Sequence, residues 1–160
     1  MSDWKTKLSS PVAVLMGGVS AEREISLQSG EAVLKALQAQ GIDSIAIDTA
    51  DKNWLQNVQQ NFAHCFIALH GPGGEDGTVQ GALETIGVTY TGSGVMASAL
   101  AMDKLRCKQI WLGMGLPTPA FSVLEEDSDF ESLMRNWKSA IVKPAHEGSS
   151  IGMTKVQDAG

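Results

Sequence analysis

The chain has 160 residues, 43% of them hydrophobic and 19% charged, with a formal net charge of −6. That apolar share supports a packed core, and the length accommodates one domain, or one small domain and part of another. The acidic balance excludes a basic field for nucleic acid or an anionic membrane, no apolar run reaches the roughly 18–20 residues of a membrane span, and the polar start, residues 1–11, lacks the apolar core of a secretory signal.

After Pro11, the run Val12-Ala13-Val14-Leu15-Met16 predicts a strand buried on both faces. Gly17-Gly18 ends it, and a helix follows, starting between Ser20 and Ser26 and running to about Gln40, with Ile25, Ala32, Val33, Ala36 and Leu37 as its apolar stripe. Gly41 suits the position after a helix end. A second strand is expected over 44–48, a short helix over 54–60 and a third buried strand over 65–69, which runs straight into a glycine-rich loop at 70–77. A helix over 79–86 and a short strand over 88–91 complete an alternation that implies parallel strands with right-handed crossovers. Ligands in such sheets bind beyond the carboxyl ends of the strands, where Gly17-Gly18 and the His70 loop both lie.

The style changes at Gly92-Ser93-Gly94. Two helices are expected, over 95–101 and 104–113, the second capped by Asp103. Leu116-Pro117-Thr118-Pro119 is a rigid exit. A strand over 120–124, a helix over 130–137, and strands over 140–143 and 153–156 follow, the last two forming an antiparallel hairpin. Domain limits are therefore set as a tail at 1–11, a first domain at 12–92 and a second at 93–160. Three strands with little to cover them are thin for an independent domain, so truncation is expected. Cys65 and Cys107 lie in apolar segments without metal-ligand spacing and read as buried, reduced thiols of a cytoplasmic protein.

Four segments carry candidate chemistry. Gly17-Gly18-Val19-Ser20-Ala21-Glu22 is not the G-x-G-x-x-G of dinucleotide sites, and only Asp48 stands near a ribose-binding position. Glu22 reads either as helix-start chemistry or as a carboxylate for a substrate ammonium. His70 reads either as structural or as a donor to a phosphate or carboxylate. Glu75 and Asp76 read as caps for the next helix rather than as metal ligands. Lys104, in the first turn of its helix, aligns with Cys107, Ile110, Trp111 and Met114; it either snorkels to water or meets an anion at the helix N-terminus. Lys143 closes an apolar strand that is expected to be buried, where a charge needs a partner. The loop after it, with Gly148, Ser149, Ser150 and Gly152, offers amides and hydroxyls able to wrap phosphate oxygens, although no Walker sequence is present.

Taken in order, Gly17-Gly18-Val19-Ser20-Ala21-Glu22-Arg23-Glu24, the H-G-x-x-G-E-D-G of 70–77, Tyr90-Thr91-Gly92-Ser93-Gly94, Met102-Asp103-Lys104, and Lys143-Pro144 with Glu147-Gly148-Ser149-Ser150-Ile151-Gly152-Met153 make the chain resemble the D-alanine–D-alanine ligases of the ATP-grasp superfamily. The resemblance spans nearly the whole chain. It implies an α/β fold, with a Rossmann-like parallel-sheet domain followed by an incomplete α+β ATP-grasp central domain. It implies ATP-dependent joining of two D-alanines through an acyl phosphate, for peptidoglycan synthesis, in a cytoplasmic homodimer associating through the first domain. By the same resemblance, Glu22 holds the first D-alanine's ammonium, Ser149 is tied to that glutamate, and His70 stands near the substrate carboxyl. Lys104 and Lys143 contact ATP phosphates, with Glu147, Gly148 and Ser150 in the lid over them. The family's Mg2+ (or Mn2+) ligands belong to a further segment. They are expected to be absent here, so the chain alone is expected to have no ligase activity. The competing readings are a non-catalytic small-molecule-binding or dimerisation module of the same descent, an ATP-grasp ligase for other substrates and, more distantly, a nicotinamide dehydrogenase.

Overall fold

The computed structural model describes residues 10–157. It divides into two compact units, residues 1–99 and residues 100–160. Residues 1–9 of the expected tail lie outside the described residues.

The first unit is built on a parallel sheet of β1 (Val12–Met16), β2 (Ser44–Asp48), β3 (His64–Ile67) and β4 (Thr89–Tyr90), in the order β2-β1-β3-β4. The chain crosses between strands through α1 (Arg23–Ala39), α2 (Trp54–Asn61) and α3 (Thr78–Thr85). Alternation along β1 sends its side chains to two cores. Ala13 and Leu15 join Val58, Phe62, Val79 and Leu83 on the α2 and α3 side, whereas Val14 and Met16 pack with Leu27, Val33, Leu34 and Leu37 of α1. Central β1 is thus buried on both faces, as its unbroken apolar run requires. β3 ends two residues before the expected limit, but Ala68 still donates its N–H to Leu15 O at 2.9 Å.

The expected stripe of α1 is corrected. Val33 and Leu37 pack inward, but Ile25 is 53% exposed and Ala32 and Ala36 also face out. The inward face instead carries Ser26 and Gly30, both buried. A Cβ on Gly30 would come within 2.5 Å of Met16 Cβ, so only glycine lets α1 lie this close to β1. The two cysteines are free. Cys65 is buried, which pushes its thiol up to about 12, while Cys107 is half-buried rather than buried.

The division between the units falls inside α4 (Val95–Met102). The second unit holds α5 (Lys104–Gly113), α6 (Phe130–Trp137) and an antiparallel hairpin of β5 (Ala140–Val142) and β6 (Thr154–Val156), registered Ala140 to Val156. The strand expected over 120–124 does not form. Among the described residues the only strands of this unit pair with each other, and a lone apolar run has no ladder to join. The segment is tethered to α5 instead: Lys108 Nζ donates to Thr118 Oγ1 and Pro119 O, each at 2.9 Å, and lies over the Phe121 ring. The apolar face expected along α5 stays open, with Trp111 and Met114 exposed and no residue of the helix buried. No helix among the described residues is long and apolar enough to cross a membrane.

Candidate functional site

The first constellation gathers at the carboxyl ends of β1 and β3, where the sheet order reverses. Gly17 and Gly18 have φ of 74° and 76°, a conformation that favours glycine. Asp48 shapes this turn. Its carboxylate accepts the N–H groups of Gly18 and Ala50, at 3.1 and 2.9 Å, and a two-pronged contact from Arg23, at 2.9 and 2.6 Å. The guanidinium beside it holds the Asp48 carboxyl well below its ordinary value. A carboxylate so engaged organises the loop and is not presented to a ribose, which settles the one acidic candidate for that role.

Glu22 immediately precedes α1 and is buried, at 6% exposure. The histidine loop folds against it. Ser20 Oγ donates to His70 O at 2.9 Å and accepts from Glu22 N at 3.2 Å. A Cβ on Gly71 would sit 2.7 Å from Glu22 Oε2, so only glycine lets the loop lie this close to the carboxylate. His70 Nε2 lies 3.1 Å from Ser29 Oγ, whereas Nδ1 stands 3.8 Å from Glu75 Oε1, beyond hydrogen-bond reach. Because Ser29 Oγ donates its own hydrogen to Ile25 O at 2.8 Å, Nε2 is the donor in that contact. Glu22 and His70 are therefore brought together.

Of the two expected caps, Asp76 supports the start of α3 and Glu75 does not. Gly77 takes the cap position of α3 at φ 92°. Glu75 turns back to accept Gly71 N at 3.0 Å, and only Asp76 reaches the helix start, accepting Thr78 N at 3.0 Å and Gly73 N at 2.8 Å. Burial pulls the Asp76 carboxyl upward, but these N–H groups outweigh it and its pKa is lowered. A cavity of about 180 Å3 opens beside the loop, lined by Gly18, Val19, Trp54, His70 and Gly74 among others.

The second constellation is the start of α5 together with the β5–β6 hairpin loop. Asp103 caps α5 by accepting Arg106 N at 3.0 Å. Lys104 is tied to the loop twice: its N–H donates to Ala145 O at 3.0 Å, and its Nζ donates to Glu147 O. Ser149 and Ser150 have φ of 48° and 63°, a left-handed pair closed by Ile151 N donating to Gly148 O at 2.9 Å. Adjacent left-handed non-glycine residues are strained, at roughly 1–2 kcal/mol each. Gly152, also left-handed at φ 68°, stacks on Pro144, where a Cβ would approach the ring to 2.7 Å. Lys143 is exposed, and Ile141 of its strand is 54% exposed, so the expected burial of that lysine is corrected: a two-stranded sheet leaves a face of β5 open. Lys104, Glu147 and Gly148 thus share one cluster, with Ser149, Ser150 and Lys143 on the same hairpin.

Arg23, Ser26, Ser29 and His146 also build these sites and were not singled out in the sequence. Ser26 and Ser29 follow Glu22 at helical spacing, but a search for an apolar stripe passes over hydroxyls. Among the described residues no three His, Cys, Asp or Glu side chains come together to hold a metal, and both oxygens of Asp76 and Oε2 of Glu75 are already taken by backbone N–H groups. These residues do not fit a magnesium site.

A family model described as "D-ala D-ala ligase N-terminus" matches residues 11–64 and 55–93, which together take in more than half of the 160 residues. A D-alanine–D-alanine ligase of Azoarcus sp. (strain BH72) is 59% identical over 150 residues, 93% of this chain and 49% of that protein. One from Ectopseudomonas mendocina (strain ymp) is 57% identical over 147 residues, 91% of this chain and 47% of that protein. Among solved structures, the D-alanine–D-alanine ligase of Bacillus anthracis superposes with a TM-score of 0.82 at 36% identity, over 94% of this chain and 50% of that one. A form of it complexed with ATP gives 0.80 at 33% identity, over 94% and 51%. The chain spans about half the length of the curated relatives it matches.

Proposed function

We propose, since this chain belongs to the D-alanine–D-alanine ligase family, that its residues serve the ATP-dependent, ADP-forming joining of two D-alanines for peptidoglycan synthesis. The observation that carries this reading is Glu22, a buried carboxylate just before α1, with the histidine loop packed against it. A buried carboxylate favours a cationic partner, and an ammonium supplies one by charge. Glu22 receives the ammonium of the first D-alanine, and His70, its ring held by Ser29, stands by the carboxyl.

In the first step a carboxylate oxygen of that D-alanine attacks the γ-phosphorus of ATP. The bond to the bridging oxygen breaks and ADP leaves with the electron pair. In the second step the amine of another D-alanine attacks the acyl carbon, inorganic phosphate departs, and the ammonium proton passes to solvent. Charge builds on phosphate oxygens throughout, so cations and N–H donors placed in advance lower the barrier. Lys104 and Lys143 supply the cations, while the backbone of Glu147 and Gly148 and the Ser150 hydroxyl form a cover that keeps water from the acyl phosphate. Magnesium, which the family's chemistry employs, has no ligand set among the described residues. The reading includes a cytoplasmic homodimer joined through the first unit.

Titration of D-alanine against the chain, followed by NMR, tests the assignment. The native chain is expected to bind D-alanine in preference to L-alanine, and Glu22→Gln to weaken binding at least tenfold. Equal binding by native and Glu22→Gln chains sinks it. A coupled assay for ADP release by the 160 residues alone is expected to show no turnover.

A further inference from the structure

The start of α5 and the hairpin loop are held together by more than Lys104. Asp103 is 7% exposed, and its two oxygens are divided between two tasks. Oδ1 faces the helix and accepts Arg106 N. Oδ2 faces outward, accepting Arg106 Nη1 at 2.5 Å and approaching His146 Nε2 at 3.1 Å. A carboxylate oxygen can only accept, so His146 is the donor. Three consecutive loop residues are thereby fastened to Asp103 and Lys104, the cap and the first residue of α5. Ala145 O takes the Lys104 N–H, His146 grips Asp103, and Glu147 O takes Lys104 Nζ. The Lys104 N–H lies in the first helical turn, where backbone donors have no partner inside the helix, so the loop satisfies an otherwise orphaned group.

We propose that Asp103 is a positioning residue, which through His146 sets the limb 145–147 against the first turn of α5 and so fixes the separation between Lys104 and the Gly148–Ser150 turn. The consequence for nucleotide rests on the function proposed above, whereas the fastening itself does not. His146 is 70% exposed at its side chain and fills no core, so its placement follows from this contact. A merely structural cap on α5 needs Oδ1 alone.

Amide hydrogen exchange of the nucleotide-free chain, read by NMR, separates the two roles. His146→Ala removes the grip and leaves the cap. It is expected to speed exchange of the Lys104 amide about tenfold, the equilibrium equivalent of one hydrogen bond to a charged group. The Cys107 amide, which bonds to Asp103 O within the helix at 2.9 Å, is expected to change less than twofold. Asp103→Ser keeps a good capping oxygen but cannot reach the imidazole, and is expected to behave as His146→Ala does. His146→Arg restores a donor and is expected to restore protection. A parallel ATP titration is expected to show affinity falling about fivefold in His146→Ala and recovering in His146→Arg. Unchanged Lys104 exchange in His146→Ala, or no recovery in His146→Arg, overturns the proposal. If exchange responds as expected while the native chain binds no ATP, the nucleotide reading falls and the fastening stands. If ATP binds equally to native and His146→Ala chains, the positioning role is overturned.

Discussion

Replacing Ser26 with alanine separates the contribution of one hydroxyl from the packing around it. Ser26 is fully buried; its Oγ accepts Gly17 N at 2.9 Å and donates to Ala68 O at 2.7 Å. It therefore joins the ends of β1 and β3 at the point where the two functional loops depart. Alanine leaves a buried N–H and a buried C=O without this partner, and a site of zero exposure admits no ready replacement by solvent. Each orphaned group costs about 1–3 kcal/mol. The carbonyl keeps a second lone pair for other donors, so the sum is taken as about 2–4 kcal/mol. Urea denaturation, followed through the NMR signals of Val14 and Leu15 in β1, measures it. With a slope of about 2 kcal/mol per molar urea, the midpoint is expected to fall by about 1–2 M. A fall of less than about 0.3 M would refute the role given to this hydroxyl.

Gly30→Ala is expected to destabilise the first unit by about 1–3 kcal/mol in the same assay, because the new methyl meets Met16 Cβ rather than a flexible tip. An unchanged midpoint would mean that α1 and β1 can separate freely. The acid response of the second unit follows from Asp103. The backbone N–H of Arg106, aided by His146 and the Arg106 side chain, lowers its carboxyl from 3.8 to about 2. A depressed carboxyl stabilises the fold above its unfolded value, and that contribution disappears as pH falls from 3.8 towards about 2. Asp103→Asn is therefore expected to flatten the acid-unfolding curve of this unit across that window, as followed by the Met134 NMR signal. An unaltered curve would contradict the assigned contacts.

Much of the first unit was legible because its strands are apolar runs punctuated by glycine. β1 and β2 have the expected limits, and Gly41 lies just past the end of α1. The inward face of α1 was not legible, since Ser26 and Gly30 are chosen for a hydrogen bond and a close approach rather than for hydrophobicity. The strand at 120–124 failed for a non-local reason: its composition suits a ladder, but no neighbour among the described residues supplies one. Of the candidate site residues, Glu22 with His70, and Lys104 with Glu147, came together within their units. The sequence also showed Asp48 closing a strand, but it did not show that Arg23 occupies that carboxylate, because the pair is formed across the fold. His146 escaped notice for the same reason, lying 43 positions from Asp103.

Calorimetric titration of ATP into the native chain, Lys104→Ala and Lys143→Ala, with D-alanine titrated in parallel, decides whether the lysines and the hairpin form a phosphate cradle. Each lysine replacement is expected to weaken ATP at least tenfold while leaving D-alanine binding within twofold. ATP bound as tightly by both lysine variants as by the native chain would contradict it.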